Sequence, residues 1–131
     1  MTYTLHTREQ IDHILRTNDR AVERAMIVLF KFQTASEQRR ANTDVNNDVG
    51  FSMVDARVGT RFARWLLGMN DNNQVRYPVK SLAHPLAARV FKRYCKEHAN
   101  PMARARHIAL KHSAQLVRIA NGEVEVPETT W

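Results

Sequence analysis

Apolar residues recur along this chain at spacings of three and four, the period of a helix with one buried face, and polar/apolar alternation is confined to its final segment. Thr7 followed by Gln10 has capping-box spacing, and Ile11, Ile14 and Leu15 then share a face, which predicts a helix over about 8–16. Asn18 or Thr17 is placed to accept from the free amides of the next helix start. Val22, Met26, Leu29 and Phe30 keep helical spacing through "DRAVERAMIVLFKF", the most apolar stretch and the predicted centre of the core. Thr34 with Glu37 has capping-box spacing again and predicts a brief separate turn through "SEQRRA". The Asn, Asp and Gly residues of "NTDVNNDVG" then predict a loop near 42–51.

Ser52 with Asp55 marks the next helix start, and Gly68 is placed to stop it. Between them Val54, Val58, Phe62, Trp65 and Leu66 form an apolar stripe, while Arg57, Arg61 and Arg64 follow on another face. A polar connection is expected near 69–80. Pro85 suits a first helical turn, so "HPLAARVFKRYCKEHA" reads as a helix with Leu86, Val90, Phe91 and Tyr94 inward and Arg89, Lys92, Arg93 and Lys96 outward. Asn100 and Pro101 repeat that start for a last helix reaching Ala120, where Asn121 and Gly122 can end it. Met102, Ala105, Ile108, Ala109, Leu116 and Ile119 make its inner face, against Arg104, His107, Lys111 and Arg118 outside. The expected fold is all-α: a compact bundle of about five helices forming one domain over 1–122, followed by an acidic tail over 123–131. The alternation before Pro127 in the tail "EVEVPETTW" allows a short extended arm but not a sheet, and a frayed end is expected ahead of docking by Trp131.

Composition agrees with one globular core: 131 residues, of which 44% are hydrophobic, exceed what a disordered chain of this charge would carry. No apolar run reaches the length of a membrane span, and "MTYTLHTREQIDH" lacks a cationic segment followed by an apolar one, so neither a membrane partner nor a secretory leader is expected. The formal net charge of +7 is unevenly placed. Residues 1–50 carry seven Lys/Arg and seven Asp/Glu, residues 51–122 carry thirteen against three, and the tail adds three glutamates. A basic second half points to a polyanionic partner, nucleic acid first, or to an acidic protein surface.

Three patterns in the chain bear on chemistry. Asp44, Asn46, Asp48 and Asp55 occupy positions one, three, five and twelve of a calcium-loop register. Val49 stands where that loop needs Gly, and the twelfth residue is Asp rather than Glu, so turn formation is the better reading: Phe51 anchors the loop and Asp55 starts a helix. Cys95 is the single cysteine, which excludes an intrachain disulfide and a cysteine-rich zinc site. Cys95 and His98 lie three apart on one helical face, with His84, His107 and His112 nearby in sequence. His107 and His112 are five apart, however, and a single cysteine lacks the usual zinc pattern, so a buried or inert thiol with surface histidines is expected. With four glycines the chain holds no phosphate-cradling loop, and no nucleophile motif appears, so neither enzyme activity nor a cofactor is expected.

The basic faces carry the remaining signal. Arg57, Arg61, Arg64, Arg89, Lys92, Arg93, Lys96, Arg104, Lys111 and Arg118 are the expected partner-binding residues, with Asn72, Asn73 and Gln74 adding hydrogen bonds. Trp65, Tyr77 and Tyr94 would stack on bases if exposed, although Trp65 and Tyr94 lie on apolar stripes. "YCKEHANPMARARHIALKH" also has the outline of two helices at a tight corner, as in a helix-turn-helix. Through "NDRAVERAMIVLFKFQTASEQ" and "NNDVGFSMVDARVGTRFARWLL" the chain resembles small accessory proteins of bacteriophages and plasmids. That resemblance covers mainly residues 18–67; it implies a mobile-element protein in a bacterial cytoplasm and assigns no catalytic residue. Two functions follow as expectations: a nucleic-acid-binding protein, or one that occupies an acidic or nucleic-acid-binding host protein. A homodimer through the central helix is compatible with both.

Overall fold

Thr7 caps the first helix by accepting from the Gln10 N–H at 3.2 Å, while the Gln10 side chain accepts from the Thr7 N–H at 3.0 Å. This capping box opens α1 (Arg8–Thr17). Asn18 ends it and starts α2 (Asp19–Arg40), its side chain accepting from the Ala21 N–H at 3.1 Å. The computed structural model describes the backbone of residues 6–40, 51, 53–68, 81–95, 97–124 and 126, and the side chains of these other than 34–40, 53 and 54. Residues 42–50 of the loop expected near 42–51, the connection near 69–80, Lys96 and most of the tail lie outside the described residues.

α2 does not stop before "SEQRRA" but continues through it for 22 residues in all. The capping-box spacing at Thr34 and Glu37 is overridden because the stretch has neither Gly nor Pro and holds strong helix formers. α3 (Met53–Leu67) ends at Gly68, whose φ of 69° is the left-handed conformation expected there. Short α4 (Pro85–Val90) is followed by a 3₁₀ turn (Lys92–Tyr94), then α5 (Pro101–Lys111) and α6 (Ser113–Ala120). Among the described residues every regular element is helical, as expected. No helix among them is long and apolar enough to cross a membrane.

α2 lies at the centre: Val22, Met26 and Leu29 are fully buried, and its main neighbours are α3 and α5. Phe62 and Leu66 of α3, Ala105 and Ile108 of α5, and Leu82 before α4 complete this core. The helix expected from Pro85 onward is cut at Val90 because packing of Phe91 outweighs local helix preference. Its register is also turned. Ala87 and Phe91 face inward, whereas Leu86 and Val90, expected inside, are 41% and 51% exposed. Among the described residues between Val90 and the α5 cap the only helical element is the 3₁₀ turn, so the first helix of the expected helix-turn-helix corner is not continuous there.

The last helix is likewise two. His112 breaks it; the residue is buried, with ring Nδ1 2.7 Å from the Ile108 carbonyl and its ring edge-on to Phe51 at 6.1 Å. This corrects the expectation of a surface histidine. Gly122 ends α6 in the left-handed conformation, with φ 74°, whereas Asn121 keeps φ −88°; the Gly122 and Glu123 amides donate to the Ile119 and Arg118 carbonyls. The Asn121 side chain also pairs with the backbone of His6, donating to its carbonyl at 3.0 Å and accepting from its amide at 2.7 Å.

Asn100 caps α5 by accepting from the Ala103 N–H at 2.8 Å, with Pro101 in the first turn. Asn100→Ala is expected to lower stability by about 1 kcal/mol, and Asn100→Asp to keep most of it, in denaturant unfolding. Equal midpoints for all three proteins would show that this cap contributes nothing.

Candidate nucleic-acid interface

Phe91 is the centre of an aromatic cluster that fixes the segment after α4 onto α3. Its ring lies 5.0 Å from Phe62, 5.5 Å from Trp65 and 6.3 Å from Tyr94, the first two edge-on. Two hydrogen bonds hold the approach to α4: the Leu82 N–H donates to Glu23 at 3.0 Å, and Trp65 Nε1 donates to the Ser81 carbonyl at 3.4 Å. Tyr94 is thereby held half-buried beside α3. The Arg61 guanidinium sits over its ring, 5.7 Å from the centroid, and Arg104 of α5 donates to the Tyr94 carbonyl.

Tyr94 thus brings together cations of α3 and α5 at the 3₁₀ turn, whose own Lys92 and Arg93 are exposed. His98 and His107 lie alongside with ring centroids 5.2 Å apart. Burial, followed by the positive charges of His107 and Arg104, lowers the His98 pKa from the ordinary imidazole value. Burial pushes the Cys95 thiol up, and Arg104 pulls it partly back. A raised thiol pKa leaves little thiolate, in keeping with the inert cysteine expected. Among the described residues there is no group of three His, Cys, Asp or Glu that could hold a metal ion.

The other basic residues divide by their partners. Arg57 on α3 and Arg89 on α4 are exposed with no ion-pair partner among the described residues. Arg118 is exposed in the last turn of α6, a helix that packs mainly on α1. Arg64 is half-buried, and its Nε has no hydrogen-bond partner among the described residues. Lys111 instead holds the buried Asp55 carboxylate at 2.9 Å, joining the end of α5 to the first turn of α3. Asp55 is therefore occupied as a helix-start acid; Asp44, Asn46 and Asp48 lie outside the described residues, as do Asn72, Asn73, Gln74 and Tyr77.

Arg106, not singled out in the sequence, is a structural cation. Its Nε donates to the Leu15 carbonyl at 2.8 Å and its guanidinium pairs with Asp19, pinning α5 to the α1–α2 junction. The signal was available: Arg106 follows Met102 by four positions and precedes Ala109 by three, which places it on the inner stripe. Tyr94 as a ring beneath Arg61 had no such signal, because the two meet across a distance in sequence. Comparison with protein-family models, with curated proteins and with solved structures finds no match for this chain.

Proposed function

We propose that the chain is a non-enzymatic nucleic-acid-binding protein, of the accessory kind carried by mobile elements and acting in a bacterial cytoplasm. The supporting observation is the convergence at Tyr94: Arg61 lies over its half-exposed ring, Arg104 donates to its carbonyl, and Lys92 and Arg93 are exposed in the same 3₁₀ turn. Arginines contact phosphate oxygens through paired N–H donors, and a ring bearing a guanidinium is a surface on which an unpaired base can stack. Arg57 and Arg89 extend the contacts. Lys111 is left out, since its ammonium is held on Asp55.

Gel-shift titrations with duplex DNA, single-stranded DNA and RNA at low salt test the reading. A shift with at least one of them, weakened in the Arg57→Ala/Arg61→Ala double variant, is the expected result. Absence of any shift sinks it.

One observation favours the protein-partner reading: Leu86 and Val90 are exposed one turn apart on α4 beside Arg89 and Arg93. Exposed aliphatics flanked by cations suit an acidic, apolar protein surface better than a phosphate backbone. A pull-down that survives nuclease and is lost in Leu86→Ser/Val90→Ser would select this reading over nucleic acid.

A further inference from the structure

A second surface lies across α1, α2 and α6, with no basic residue of the Tyr94 cluster among its walls. It is an open groove of about 430 Å³. Ile14 of α1, Ala25 and Val28 of α2, and Leu116 and Ile119 of α6 form its apolar floor. Ile14 is 37% exposed, so the floor is open to solvent even at a residue from the apolar face of α1. Arg20 and Arg24 stand on the rim, one turn apart on α2.

Both rim arginines are exposed and have no ion-pair partner among the described residues. The neighbouring α2 acids are engaged elsewhere: Asp19 pairs with Arg106, and Glu23 accepts from the Leu82 amide. Two uncompensated cations beside an apolar trough are complemented by carboxylates flanking aliphatic side chains. Phosphates would match the cations and leave the floor uncovered.

We propose that this groove docks an acidic amphipathic helical segment of a partner protein, its aliphatic face on Ile14, Val28 and Ile119 and its carboxylates on Arg20 and Arg24. An amphipathic helix laid into a groove uses anchors about one turn apart, which is also the spacing of the two arginines along α2. The carboxylates set the orientation of the segment and speed its capture, and the apolar floor supplies the contact area. This docking does not depend on the nucleic-acid reading of the Tyr94 cluster.

The test selects binders from a display library of short random peptides on the immobilised full chain, then measures the enriched peptides by fluorescence anisotropy. Enriched peptides should carry Asp or Glu beside Leu, Ile or Phe at helical spacing. Their affinity should fall about ten-fold or more in Arg20→Glu/Arg24→Glu, fall also in Ile14→Glu, and stay unchanged in Arg61→Glu. Circular dichroism melting establishes that each variant is folded, and the exposed positions of Arg20, Arg24 and Arg61 make those variants tolerable to the fold.

No enrichment, acid-free peptides, or loss of binding in Arg61→Glu instead of the rim variant would each overturn the proposal. So would two other occupants: a dimer in native mass measurement that Ile14→Glu dissociates would give the groove to a second copy. Peptide binding that appears only after removal of residues 123–131 would give it to the chain's own acidic segment.

Discussion

Gly59→Ala is expected to destabilise the protein by about 2 kcal/mol, against the sign that helix preference alone gives. Within a helix that substitution usually gains about 1 kcal/mol. A Cβ on Gly59, however, would lie 2.5 Å from Cζ and 2.6 Å from Cδ1 of Phe51. That ring cannot yield into solvent cheaply, because Phe51 is 6% exposed and meets the buried His112 edge-on. Overpacking of this kind costs about 1–3 kcal/mol, and displacement of a whole ring from its site lies at the upper end, which leaves a net loss after the helix gain. The close approach is therefore what the glycine permits, and it lets the residue before α3 close over the helix. A double-mutant cycle separates the two effects: in a Phe51→Ala background, Gly59→Ala should become neutral or stabilising. A stabilising effect in the otherwise unchanged protein would mean that the ring moves aside freely, and the account of Gly59 would fall.

The helix ends that the sequence made legible are those written in local chemistry. Thr7 with Gln10, Asn18, Asn100, Gly68 and Gly122 each satisfy a backbone group within a few residues, so their role follows from spacing alone. The breaks at Val90 and His112 carry no Gly or Pro and are made by partners far along the chain: Phe62 and Trp65 for Phe91, Phe51 for His112. The same distance effect hid the register of α4, where the small Ala87 and the ring of Phe91 turn inward and leave Leu86 and Val90 outside. In the candidate site, periodicity placed Arg57, Arg61 and Arg89 outward, where they are exposed. It could not tell a cation open to a ligand from one held by the fold. Lys111 is exposed as Arg57 is and differs from it through Asp55, 56 positions away; Arg106, placed by its spacing on the inner stripe, is the exception.

That division of the cations fixes how binding should respond to salt. If Arg57, Arg61, Arg89, Lys92 and Arg93 each contact a phosphate of a duplex, counterion release gives a slope of about −4.5 for log affinity against log salt. Raising salt from about 50 to about 200 mM should then weaken binding roughly 500-fold. Arg57→Ala/Arg61→Ala should reduce the magnitude of the slope by about 1.8, since each lost phosphate contact removes about 0.9. Lys111→Gln should leave it unchanged, because the lysine charge is already compensated by Asp55, and the amide keeps a donor toward that carboxylate. Fluorescence anisotropy over a salt series provides all three slopes. A slope near zero in the unmodified chain would remove phosphate contact as the source of binding. A drop for Lys111→Gln equal to that of a single exposed arginine would instead mean that the Lys111–Asp55 pair opens when nucleic acid arrives, and the assignment of Lys111 to the fold would have to be withdrawn.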